Sequence, residues 1–187
     1  MNFGGILYYI INTLKGQTKP NRVTWLLWAV APLIATAAAL SDGVTWAVLP
    51  VFIAGFISLL VLAASFINKN AYWKLGRLDY ICGLLSVLAL VLWDITEEPN
   101  VAIALAIASD GIASFPTLIK SWKYPETETA STYFSGLISA LTIFAAVKIW
   151  DFSSLAFPLY LVIMDSMLVL AVERKKIFKI NAQQIRG

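Results

Sequence analysis

Long apolar stretches broken by short polar segments run the length of the chain. Their spacing predicts seven helical spans, at 2–15, 23–41, 45–67, 79–95, 100–120, 130–149 and 154–173. A helix crossing a bilayer needs about 20 mostly apolar residues. The first stretch is short by that measure. Strands are not expected, because no stretch alternates apolar and polar residues at a period of two.

The pattern also repeats. Pro50 is followed, after seven residues, by Ser58-Leu59-Leu60-Val61-Leu62-Ala63, and Pro158 by Ser166-Met167-Leu168-Val169-Leu170-Ala171. That offset of 108 also lays Thr24-Trp25 on Thr132-Tyr133, and Ala37-Ala38 on Ala145-Ala146. Upstream the offset slips to 105, where Lys15 meets Lys120 and Pro20 meets Pro125. Three spans therefore repeat, and the fourth has no counterpart. Two three-span units joined directly would face opposite ways, and a single linking helix restores a common orientation. The expected fold is an all-α integral membrane protein of seven transmembrane helices, arranged as two parallel three-helix bundles joined by a linker helix. The units are 1–68, a linker at 79–95, 100–173, and a basic cytoplasmic tail at 174–187. The linker, with only Cys82 and Ser86 as mildly polar interior residues, is expected to face lipid. The tail is expected to lie along the anionic inner leaflet.

Composition agrees. Of 187 residues 59% are hydrophobic and 13% charged, with a mean hydropathy of +0.77. Soluble domains carry about 25% charged residues. Thirteen of the fourteen Lys and Arg residues fall on one side of the predicted spans, among them Lys15, Lys69, Lys120, Arg174 and Arg186, and only Lys148 falls on the other. The positive-inside rule then places the N-terminus outside and the C-terminus in the cytoplasm, in a cell (inner) membrane. Asp42, Asp94, Glu97, Glu98 and Asp151 mark the outer loops. Trp46, Trp93 and Trp150 sit at outer span ends, and Trp73 and Trp122 at inner ends, as two aromatic belts. The start of the chain lacks a basic segment and a small-residue cleavage site, so no removable signal peptide is expected. The net charge of +3 reflects topology and implies no nucleic-acid partner.

Two carboxylates fall inside the apolar spans. Asp110 lies ten residues before Lys120 and Asp165 nine before Arg174, so both are roughly 14–15 Å from the inner boundary. A charge at that depth costs at least about 2.5–3.5 kcal/mol on insertion scales and must face protein or water. Such residues default to a functional reading, here proton coupling or contact with a cationic group. A structural, hydrogen-bonded role is the competing reading. If the two are neighbours, they can share one proton. Their repeat counterparts, Gly5 and Ile57, are uncharged, so the halves are unequal.

Hydroxyls line two faces: Asp110, Ser114, Thr117 and Ser121 on span five, and Thr132, Ser135, Ser139 and Thr142 on span six. They can line a wet pathway or join helices. Tyr8 and Asn12 are one turn apart on span one. Trp28, a turn deeper than Trp25, is a candidate for stacking on a solute. Asn12, Trp28, Thr117, Ser139 and Ser166 join the two aspartates as candidate solute-binding residues. Pro32, Pro50, Pro116 and Pro158 permit kinks. Pro116 and Pro32 are the candidate hinges. With no histidine and one cysteine, neither a catalytic centre nor a metal or cofactor site is expected.

The stretch Ser114-Phe115-Pro116-Thr117-Leu118-Ile119-Lys120-Ser121-Trp122-Lys123 resembles the repeated motif of the SWEET and PQ-loop transporters, with Thr117 where that motif has glutamine. In the first repeat Ile11-Asn12 stands where Pro-Gln would, and Lys15 is in place. The resemblance covers nearly the whole chain as a three-one-three arrangement. It implies a transporter of a small polar solute working by alternating access, proton- or cation-coupled through Asp165 and Asp110. The group also contains a peptide-reading receptor, and vitamin transporters of the nicotinamide riboside class share the arrangement. A non-transporting receptor or adaptor and a vitamin- or nucleoside-type facilitator are therefore the alternatives. The expected partners are the solute, the bilayer and, compatibly, further copies of the chain. An intramembrane enzyme has only the aspartate pair in its favour.

Overall fold

A computed structural model describes residues 3–41, 46, 49–96, 98–146 and 150–184. These residues form seven α-helices: α1 (Phe3–Leu14), α2 (Arg22–Ser41), α3 (Leu49–Ile67), α4 (Arg77–Asp94), α5 (Pro99–Lys123), α6 (Ser131–Ala146) and α7 (Phe152–Gln184). Short 3-10 turns stand at Lys69–Ala71 and Pro125–Thr127. Each predicted apolar stretch contains one helix. Lys148, Asp42, Glu97 and Arg186, used above to assign sidedness, lie outside the described residues.

The helix ends follow local chemistry. α1 stops where Gly16 adopts a φ of 75°, a left-handed conformation that ends helices cheaply only at glycine. The amides of Gly16 and Gln17 return to the carbonyls of Thr13 and Asn12. Asn21 caps α2, its Oδ1 accepting from the amides of Val23 (3.1 Å) and Thr24 (3.3 Å). Asp79 reaches back from the first turn of α4 to accept from the amide of Gly76 at 2.5 Å. Pro99 opens α5, where a missing N–H costs nothing.

Three helices are long and apolar enough to cross a membrane: α3 (Leu49–Ile67), α5 (Pro99–Lys123) and Ser154–Ile177 of α7. The protein is thus an all-helical membrane protein. α1 and α6 have 12 and 16 residues, and α4 carries Arg77, Asp79 and Asp94 within 18. At 1.5 Å per residue α1 reaches only about 18 Å.

The packing order repeats as the sequence does. α3 contacts both α1 and α2, and α7 contacts both α5 and α6. Across the two groups α1 meets α6 and α2 meets α5. α4 packs mainly on α5 and more lightly on α2. Among the described residues, 16 polar or charged side chains are buried against 15 apolar ones. The large apolar residues Leu7, Phe66, Leu84, Leu88, Ile163 and Leu170 face outward. A polar interior within an apolar surface is the arrangement a hydrocarbon solvent favours.

Three expectations change. α4 does not simply face lipid: Asp79, Cys82, Ser86 and Ala89 form a buried stripe one helical face wide, while Leu84, Leu85 and Leu88 stay exposed. Ser86 and Ser109 donate to one another's carbonyls at 2.9 and 3.0 Å, so small polar residues draw α4 against α5. Residues 174–184 of the expected tail continue α7, which runs unbroken to Gln184, and 185–187 lie outside the described residues. No glycine or proline interrupts it there to stop the helix. Pro50 lies in the first turn of α3 and cannot kink it, whereas Pro32, Pro116 and Pro158 are inside helices. The inner tryptophans also meet cations. Arg174 stands 4.9 Å over the Trp122 ring, and Lys120 Nζ is 5.1 Å from that of Trp73.

Candidate functional site

The site begins on α5. Ser114 donates to the Asp110 carbonyl one turn earlier at 2.7 Å, and its oxygen lies 3.3 Å from Asp110 Oδ2. α7 brings the phenol of Tyr160 to the same Oδ2 at 2.5 Å. The Tyr160 ring passes beside Gly111 at a distance where a Cβ would make only ordinary contact, 3.6 Å away.

Asp165 lies on α7, within electrostatic reach of Asp110 but not hydrogen-bonded to it. It packs against Gly136 of α6 so closely that a Cβ at that glycine would sit 2.4 Å from its Oδ2. α5, α6 and α7 thus converge on two half-buried carboxyls. The chain bears no Asp or Glu at the counterparts Gly5 and Ile57. Gly5 serves packing, with Ser131 Oγ donating to its carbonyl at 2.8 Å.

α2 supplies the opposing wall. Trp28 makes edge contacts with Trp25 (5.1 Å between centroids, 81° between planes) and Tyr133 (6.5 Å, 72°). It packs against both buried clusters, Tyr9–Trp25–Val61 of the first group and Tyr133–Leu168–Val172 of the second. Its indole N–H lies near the Asp110 carboxyl without reaching hydrogen-bond geometry. Trp28 is therefore where the halves and the carboxyls meet.

The other candidates separate from this centre. Thr117 is fully buried and donates to Thr24 Oγ1 at 2.9 Å, which in turn donates to the Ala113 carbonyl at 2.7 Å. The span-five hydroxyl face is thus a seam between α5 and α2. Ser139 donates to its own helix at the Ser135 carbonyl, 2.9 Å away, because a serine inside a helix finds the carbonyl one turn back within reach. Ser166 is half-buried beside Asp165. Asn12 lies near the C-terminal end of α1, its Nδ2 donating to Thr129 Oγ1 at 3.4 Å. Pro116 is buried between Ser114 and Thr117, and Pro32 sits a turn beyond Trp28, where its carbonyl accepts from Thr36 at 2.7 Å.

A second polar cluster joins the ends of α1, α5 and α6 at the loops 15–21 and 124–130. Lys120 Nζ pairs with Glu128 Oε1 at 2.5 Å, and both side chains are essentially inaccessible, at 1% and 0% exposure. Glu128 Oε2 accepts from Tyr9 (2.9 Å) and Tyr133 (3.1 Å), and Lys120 also donates to the Lys19 carbonyl. The hydroxyls of Thr18 and Thr129 share a hydrogen, and the Lys19 amide donates to the Thr127 carbonyl at 2.9 Å. Nearby, Asn21 Nδ2 donates to the buried Asp79. In sequence Lys120 counts as an inner-side charge, as the repeat partner of Lys15 and as the basic residue of the repeated motif, with no partner assigned to it. The signal for its partner was a loop, Pro125-Glu126-Thr127-Glu128, with two acids where the sidedness rule expects bases.

No family model, curated protein or solved structure matches the chain.

Proposed function

We propose that the chain is a membrane transporter of a small polar solute, similar in plan to the SWEET and PQ-loop group. All seven helices would cross the bilayer as two parallel three-helix bundles linked by α4, with the N-terminus outside. The shorter helices lie alongside α3, α5 and α7 and span by local thinning and flanking anchors. The matched contact orders α1–α3–α2 and α5–α7–α6 support this reading. So do the matched cross-contacts: α1 with α6, and its repeat counterpart α5 with α2.

The observation that carries the reading is the convergence of Asp110 and Asp165 inside the bundle, beside Tyr160 and Trp28. Two carboxyls held there without a basic partner suit reversible binding of a proton or a cationic group. Trp28 offers an aromatic edge to the solute at the junction of the bundles. The bundles rock about this centre, with Pro32 and Pro116 as hinges, exposing it to one side and then the other.

A thermal-shift screen of the purified protein from pH 5 to 8 tests this, with sugars, amino acids, nucleosides, polyamines and simple cations as the panel. A ligand that binds the folded state raises the melting temperature. The stabilising solute is then used for counterflow in liposomes. Exchange that depends on pH in the wild type and not in Asp165→Asn is the expected result. Normal pH-dependent exchange by Asp165→Asn refutes the coupling role. Binding without exchange makes the protein a receptor.

A further inference from the structure

We propose that the Lys120–Glu128 pair and the two loops it joins form the inner gate of the solute pathway. This rests on the transport reading above. The loops are repeat partners, since Pro20 aligns with Pro125 and Thr24 with Thr132. They touch each other directly: Lys19 to Thr127 through the backbone, Thr18 to Thr129 through hydroxyls, and Lys120 to Lys19 through the ammonium. Each half thus contributes the same segment to one clasp.

Its position fits a gate. Lys120 is ten residues beyond Asp110 on α5, about 15 Å along the helix. Between the clasp and the carboxyls stand Tyr9 and Tyr133, edge to face at 6.3 Å, with both phenols on Glu128. Tyr133 in turn meets Trp28. The rings meet from α1 and α6, and Glu128 ties both to the clasp.

Its chemistry also fits. A buried ion pair stabilises a fold no better than apolar residues of the same volume. A seal made of charges and hydroxyls gains one property that an apolar seal lacks, because water satisfies every group when it opens. Packing within each half is largely apolar, at Trp25–Val61 and at Tyr133–Leu168, so the halves hold their shape as the clasp parts.

The test reads opening without a solute. Ser121 follows Lys120, is fully buried, and its hydroxyl has no hydrogen-bond partner to lose. Ser121→Cys is made in a Cys82→Ala background and exposed in nanodiscs to a membrane-impermeant maleimide. Glu128→Gln is expected to speed labelling roughly tenfold or more, because truncating one member of a buried pair removes much of what holds the closed state. The exchange Lys120→Glu with Glu128→Lys is expected to restore slow labelling, and size-exclusion profiles check that each variant is folded. Equal labelling of wild type and Glu128→Gln, both folded, overturns the gate. In a second arm, an oxidised Thr18→Cys/Thr129→Cys pair is expected to stop counterflow while ligand still raises the melting temperature, with reduction restoring exchange. Undiminished exchange by the oxidised pair also overturns the gate and leaves the transport reading intact. Absence of exchange in the wild type strikes the transport reading alone, since the labelling arm is independent of it.

Discussion

Tyr160 on α7 donates its phenol hydrogen to Oδ2 of Asp110 on α5 at 2.5 Å, tying two long membrane helices together through a carboxyl in their interior. Tyr160→Phe leaves that carboxyl with Ser114 as its neighbouring hydroxyl. The expected loss is about 1–3 kcal/mol, the usual cost of stranding a buried polar group. In a thermal-unfolding cycle with Asp110→Asn, the double variant should lose less than the sum of the singles by at least about 0.5 kcal/mol. Strict additivity would mean that the phenol does not act on the carboxyl.

Gly5→Ala and Gly111→Ala should differ sharply. A Cβ at Gly5 would lie 2.3 Å from the backbone oxygen of Ser131 and 2.0 Å from Ser135 Oγ, forcing α1 and α6 apart. At Gly111 the nearest atom is 3.6 Å away, ordinary contact with Tyr160. Gly5→Ala should lower stability by about 1–3 kcal/mol, while Gly111→Ala stays near wild type. Equal melting temperatures would show that the α1–α6 approach is looser than described.

Lys120→Met leaves Glu128 buried without its cation and should cost about 3–5 kcal/mol. Adding Glu128→Gln removes the stranded charge while keeping an acceptor for Tyr9 and Tyr133, and should recover much of the loss. Chemical denaturation of the three variants measures the coupling. A double variant less stable than Lys120→Met would contradict the pairing.

At the other end of the molecule the Ser154 side chain and amide hold the Asp151 carboxyl below its ordinary value, the amide donating to Oδ1 at 2.8 Å. A lowered folded pKa contributes stability above the unfolded value of about 3.9, lost as pH falls through the folded one. Amide exchange at Ser154 and Leu155 should therefore accelerate only in strong acid. In Asp151→Asn the rise should follow intrinsic exchange chemistry alone. Identical profiles would remove Asp151 as the cap of α7.

The apolar pattern located every helix, because bilayer-facing residues must be apolar whatever they pack against. It placed Asp110 and Asp165 in the interior for the same reason. It could not apportion the hydroxyls. Thr117 shares a period with Asp110, and Ser139 with Thr132 and Ser135, only as points on a wheel, and whether such a group meets a neighbouring helix or its own backbone depends on packing distances. At 2–15 the helix, α1, runs shorter than the hydrocarbon, and residues 147–149 of the span expected at 130–149 lie outside the described residues. The clasp was least legible. Its members, Tyr9, Thr18, Lys19 and Glu128, are unremarkable singly, and two of the five joined segments are turns rather than periodic elements.

The clasp also sets an order of assembly. Glu128 reaches Lys120 from eight residues away, but its bond to Tyr9 spans 119 residues and that of Thr129 to Thr18 spans 111. Such closures come late, because the chain entropy between the partners must first be surrendered. Until the second half has been synthesised, the C-terminal end of α1 is held within the first half alone, by Asn68 donating to the Leu14 carbonyl at 2.7 Å. These long-range bonds are thus among the last to form as the chain is made. A chain cut before residue 128 should be recognised by quality-control proteases as incomplete, however well its first five helices insert.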